Sequence, residues 1–121
     1  MTMAYVRARW RAVGCAGAGI GALVRTQAHA RIHLAASTVV VGMGVLMRVS
    51  MAEWCWLIAA MGAVWVAEAL NTAVELVADA ACPEFHPLVG RAKDVAAGAV
   101  LLAAIAAVGI GVCVFGGRVG W

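Results

Sequence analysis

Charge is what this chain has least of. Only 12% of its 121 residues are Asp, Glu, Lys or Arg, while 65% are hydrophobic, and the mean hydropathy is +0.97. A water-soluble domain of this length has too little polar surface to cover so much apolar side chain. That excludes a soluble enzyme and leaves an integral membrane protein of one small helical domain, with its chemistry at the membrane. A net charge of +3, scattered along the chain, excludes a nucleic-acid surface. There is no CxxC pair and no Cys/His metal spacing, so Cys15, Cys55, Cys82 and Cys113 read as small apolar fillers. No Walker A sequence and no kinase glycine-rich loop occurs. A secretory signal peptide is not expected, because Arg25 interrupts the GAGIGALVR run before an apolar core is complete. Proline occurs only at Pro83 and Pro87, which break the helix in the loop CPEFHPLVG.

Residues 1–30 carry Tyr5, Val6, Trp10 and Val13 among Arg7, Arg11 and Arg25, a pattern suited to an amphipathic helix lying on a membrane surface. Gly14, Gly17, Gly19 and Gly21 weaken that helix in isolation and suit close approach to another. Three membrane spans follow, over 31–51, 54–81 and 94–117. Arg48 completes the first by snorkelling, and Trp54 and Trp56 read as interfacial anchors beyond it. Asp94 marks the N-terminal end of the third span. His29 and His33 read as interfacial polar groups. With three spans, Arg7, Arg9, Arg11, Arg25, Arg31, Arg91 and Lys93 fall on one side, and only Arg48 and Arg118 on the other. The asymmetry places the N-terminus and the 82–94 loop in the cytoplasm.

What polar chemistry there is gathers in the second span. Within WCWLIAAMGAVWVAEALNTAVELVADA, residues Glu68, Glu75 and Asp79 recur at steps of seven and four, with Asn71 alongside. A helix turns about 100° per residue, so these side chains share one stripe. Counted from Trp54, they lie about 21, 31 and 37 Å along the axis. Against a hydrocarbon core of about 30 Å, the stripe runs from an apolar position to an aqueous one. Carboxylates in line need a cation or a proton between them, which points to metal binding, proton handling or both.

A buried carboxylate can serve as general base on a lipid hydroxyl. One nearer water can hold Mg²⁺ on nucleotide phosphates. Lys93 can offset phosphate charge, and His86 and Glu84 can hydrogen-bond a nucleotide. Two other classes use the same residues differently. A non-catalytic lipid- or nucleotide-binding protein needs no base at Glu68. A proton-linked transporter uses buried carboxylates but needs no Lys93, His86 and Glu84 cluster.

EALNTAVELVAD, followed by PEFHPLVGRAKDVAAGAVLLAAI, closely resembles the small prokaryotic diacylglycerol kinase family, which includes the undecaprenol kinases of Gram-positive bacteria. The resemblance is dense over residues 68–105 and looser upstream, at RIHLAAS and AEW. It joins ExxNxxxE, a His-Pro loop and an AKD helix start. It implies a homotrimer of three-span protomers, each with an N-terminal surface helix. It also implies ATP-dependent, Mg²⁺-assisted phosphorylation of a lipid hydroxyl, with diacylglycerol the first expectation and undecaprenol the alternative. On that resemblance Glu68 is the catalytic base, Glu68 and Asn71 meet the lipid, and Glu75 is a metal ligand. Glu75, Asp79, Glu84, His86, Lys93 and Asp94 are nucleotide-site positions, with Arg11 as an N-terminal candidate. The chain departs from the family at Gln27, where a second metal-binding Glu is common; an amide carbonyl can still ligate Mg²⁺ but brings no charge. Phe85 stands where Tyr is frequent.

Overall fold

A computed structural model describes residues 2–120, and no strand occurs among the described residues. The chain forms α1 (Met3–Thr26), α2 (Ala28–Leu46), α3 (Met51–Ala81) and α4 (Pro87–Gly116). The helix expected over 1–30 is α1, and it ends earlier; residue 1 lies outside the described residues. The break is Gln27, extended at φ −101° and ψ 120°, whose N–H still bonds the Leu23 carbonyl at 2.9 Å. Among the described residues α2, α3 and α4 are the helices long and apolar enough to cross a membrane. At about 1.5 Å per residue α2 measures roughly 28 Å, close to the hydrocarbon thickness, while α3 and α4 measure roughly 45 Å and must project beyond it.

The span boundaries shift for local reasons. The second span starts at Met51 rather than 54 because Ser50 and Glu53 form a capping box. The Ser50 N–H donates to Glu53 Oε2 at 2.6 Å, and the Glu53 N–H donates to Ser50 Oγ at 3.2 Å, satisfying donors at both ends of the first turn. The third span starts at Pro87 rather than 94. Proline has no N–H to lose at the first helical position, and His86 caps the helix by accepting the Leu88 N–H on Nδ1 at 3.2 Å. Asp94 therefore stands inside α4, not at its N-terminal end.

Packing is concentrated between α3 and α4, with α2 laid against α3. The buried residues of α3, Leu57, Ala60, Val64, Glu68 and Thr72, recur every three or four positions and form one stripe. At one end of the bundle Val49, Leu57 and Val114 make the apolar core, flanked by Trp54, Met61, Ile110 and Phe115. Trp54 belongs to this core rather than to an interfacial belt, whereas Trp56 is exposed. Midway, the Trp65 indole N–H donates to Ser37 Oγ at 3.1 Å and fixes α2 against α3. Arg118, past the end of α4, donates to the Met47 carbonyl at 3.1 Å and pairs with Glu53, so one guanidinium ties the ends of α2, α3 and α4. The four α1 glycines meet nothing within 4 Å, so none is a contact between helices of one chain. Instead, Leu23 is buried where the last turns of α1 meet α3.

The α2–α3 turn is tight. The Arg48 N–H bonds the Val45 carbonyl at 3.2 Å, and the Val49 N–H bonds the Gly44 carbonyl at 3.1 Å, which is a Schellman closure. It needs a left-handed residue at its centre, and Arg48 supplies one at φ 50°. Gly44 makes a second demand: a Cβ there would lie 2.6 Å from the Trp54 ring.

Gly44→Leu is expected to lower the unfolding free energy in an SDS titration by about 1–3 kcal/mol, the usual cost of overpacking. Gly42→Ala, which meets open space, is expected to leave it unchanged or raise it. Arg48→Gly is expected to raise it by about 1 kcal/mol, because glycine enters the left-handed region without a Cβ penalty.

Candidate active site

Glu68 sits on the packing stripe of α3 between Val64 and Thr72, and only 2% of it is exposed. Its Oε2 faces His33 Nε2 of α2 at 3.7 Å. His33 is thus an inward residue and not an interfacial one. Ala30, His33, Ser37, Val40 and Gly44 are the less exposed positions of α2 and follow a three–four spacing. That spacing is the signal in the sequence that would have turned His33 inward.

One turn beyond Glu68, the Asn71 Nδ2–H donates to Glu75 Oε1 at 3.4 Å, while Asn71 Oδ1 is buried without a partner. Glu75 is half-buried. His29, His33, Glu68, Asn71 and Glu75 line one open cavity of about 330 Å³, closed on its far wall by Ala97, Val100, Leu101 and Ala104 of α4. One more turn outward, Asp79 is exposed and pairs with Lys93 of α4. Accessibility therefore rises along α3 from Glu68 through Glu75 to Asp79, with a cation waiting at the open end.

The remaining candidates are less gathered. His86 spends Nδ1 on capping α4, which leaves Nε2 turned to other partners. Glu84 and Asp94 are exposed, and their side chains make no bond among the described residues. The Glu84 carbonyl accepts from Cys82 Sγ at 3.4 Å, which shapes the 82–86 connection. Arg11 is exposed on α1 and makes no bond to the site. Gln27 is the half-buried junction of α1 and α2, with no side-chain cap bond. Arg91, counted from the sequence only as a topological charge, lines a second groove with Asn71, Leu88 and Val95 between α3 and α4.

Among the described residues no three His, Cys, Asp or Glu side chains come close enough to enclose a metal ion. Mg²⁺ rarely needs such a cage; one or two carboxylates with phosphate and water oxygens suffice. Glu75 and the unpartnered Asn71 Oδ1 are oxygen donors of that kind, so the residues fit the ion. Thr72 Oγ1 is likewise buried without a partner, on the side of α3 that faces Leu23 of α1.

Comparison with known proteins bears on this arrangement. The family model for prokaryotic diacylglycerol kinase matches residues 14–115. An undecaprenol kinase of Bacillus subtilis is 38% identical over 100 residues, covering 83% of this chain and 81% of that protein. A diacylglycerol kinase of Synechocystis is 40% identical over 99 residues, covering 81% of this chain and 57% of its own length. The diacylglycerol kinase of Escherichia coli K12 is 42% identical over 77 residues, covering 55% of this chain and 62% of its own length. The matched region begins within α1 and ends within α4, so it takes in every element that shapes the carboxylate cavity, and the chain belongs to the prokaryotic diacylglycerol kinase family.

Proposed function

We propose that the protein transfers the γ-phosphoryl group of ATP to the primary hydroxyl of a membrane lipid, with Glu68 as general base. The observation that carries this reading is the burial of Glu68 at the inner end of a polar stripe that opens outward to the Asp79–Lys93 pair. The lipid oxygen attacks the γ-phosphorus while its proton passes to the Glu68 carboxylate. The new O–P bond replaces the bond to the bridging oxygen, and ADP leaves with that electron pair. Such a transfer needs positioning and charge compensation more than covalent help, so a small site is enough.

Asn71 lies beside the base at the lipid end. Glu75 and Asn71 Oδ1 would hold Mg²⁺, with the Gln27 carbonyl as a neutral further ligand; the bound ion offsets phosphate charge. Lys93 exchanges Asp79 for phosphate oxygens. Glu84, His86 and Asp94 complete the nucleotide side, with His86 contributing the ring nitrogen not used in capping. Arg11 of α1 is the N-terminal candidate on that side.

A homotrimer with shared sites is part of this reading. Only 6% of the most apolar window of α4 is buried within one chain, against 28% for α3. The one nucleotide candidate of α1, Arg11, makes no bond to the site of its own chain. The arginine and lysine asymmetry supports a cytoplasmic N-terminus and 82–86 connection, in the bacterial inner membrane.

For the acceptor, two observations favour a polyprenol over diacylglycerol. Of the relatives compared, the undecaprenol kinase is the one whose match runs far along both chains. The α4 wall opposite Glu68 is Ala97, Val100, Leu101 and Ala104, which offers no side-chain donor to the ester carbonyls of a diacylglycerol. Diacylglycerol remains the second reading, supported by the Synechocystis and Escherichia coli relatives.

The test is transfer of radiolabelled phosphate from Mg-ATP in mixed micelles, with undecaprenol and diacylglycerol offered separately. Label in undecaprenyl phosphate is the expected outcome, and label only in phosphatidic acid moves the chain to the second reading. A folded preparation that labels neither lipid overturns the kinase assignment of this site. Glu68→Gln is expected to lower turnover by about 10²–10⁴-fold, the range for loss of a general base. Glu75→Gln is expected to raise the Mg²⁺ concentration giving half-maximal rate by at least ~10-fold, read from a metal titration at saturating ATP.

A further inference from the structure

Among the described residues Glu68 makes one ionic contact, and it is not with its own helix. Asn71, a turn away on α3, gives its amide N–H to Glu75. The α4 side of the cavity is aliphatic. What faces the carboxylate is His33 Nε2, 3.7 Å from Oε2, on a different helix. The side chains are 18% and 3% exposed, so the contact is largely screened from bulk water.

His33 is also held where it is. One turn before it, Ala30 is fully buried, which brings the α2 backbone close to its neighbours. One turn after it, Ser37 takes the Trp65 N–H of α3. Trp65 precedes Glu68 by three residues on the same helix. The register that fixes Ser37 against Trp65 therefore fixes His33 against Glu68. A glutamate has three side-chain torsions, and the aliphatic α4 wall gives it no direction. A donor on a second, registered helix gives it one.

We propose that His33 is a positioning residue for Glu68: its Nε2–H donates to Oε2 and leaves Oε1 directed at the lipid hydroxyl. The inference rests on the reading of Glu68 as the base. In the transfer step the hydroxyl proton goes to Oε1, and His33 keeps its own proton throughout. The separation of 3.7 Å exceeds a hydrogen bond, and such contacts commonly tighten when substrate displaces water. In this role His33 acts through Glu68, so its loss should act on kcat through the direction of the base.

The experiment measures kcat and KM for ATP and for the accepted lipid in the full-length protein in mixed micelles. The variants are His33→Leu, His33→Gln, Glu68→Gln and the double variant His33→Leu/Glu68→Gln. Removing the donor in His33→Leu is expected to lower kcat by about 10–100-fold, the cost of a misdirected catalytic group, with both KM values within about twofold. His33→Gln keeps an N–H at similar reach and is expected to recover most of kcat. Because His33 acts through Glu68, the double variant should be no slower than Glu68→Gln alone. Thermal unfolding midpoints in detergent separate these effects from damage to the fold. Should His33→Leu fail to fold, His33→Met, also lacking a donor, takes its place. An active His33→Leu beside an inactive Glu68→Gln would overturn the role of His33 and leave the base intact. A double variant slower than Glu68→Gln by the full His33→Leu factor, or a His33→Gln as slow as His33→Leu, would overturn it as well. An active Glu68→Gln overturns the reading beneath it.

Discussion

Glu68 occupies a position that helix packing would give to an aliphatic side chain. It follows Leu57, Ala60 and Val64 along the stripe that α3 turns inward. A carboxylate in that place is costly unless something nearby balances or hydrates it. The cavity with its histidine answers that need, and the α4 wall there is of small and aliphatic residues that leave room. α2 is registered so that His33 comes opposite. Stability along the stripe comes from the end with Val49, Leu57 and Val114; the Glu68 end holds the polar cavity. One helix serves both purposes because its ends differ in what they bury.

The length of α3 and α4 makes the second half of this arrangement possible. Both exceed the hydrocarbon thickness, so the face that packs inside the bilayer continues into the interface. Glu75, Asp79 and Lys93 are carried on that continuation. No loop has to fold over a separate nucleotide domain. Proline at the first turn of α4 and the His86 cap begin the helix early, so that Lys93 is a helical residue opposite Asp79 and not a loop charge. Membership of the family shown by the match over residues 14–115 fits a lipid kinase whose machinery is distributed along transmembrane helices.

Much of this was legible before any coordinates. The composition excludes a soluble domain, and the carboxylate stripe follows from helical periodicity alone. Three spans follow from hydropathy, because a bilayer leaves the backbone little choice but helix. The capping box at Ser50 and Glu53 is equally present in the sequence, as S-x-x-E before an apolar run. Pro87, placed after a capping histidine, starts a helix.

Other features depend on which helix lies beside which. The sequence by itself determined that Glu68, Glu75 and Asp79 share a face and grow more accessible along it, since that needs only the pitch of one helix. Only the tertiary structure decided that Glu68 faces His33, that Lys93 closes on Asp79, that Gly44 makes way for Trp54, and that Arg118 joins three helix ends. Each of these contacts links residues separated by a turn or by a whole helix. Periodicity fixes directions around one axis, whereas the rotation and register between two axes are set by how their side chains pack.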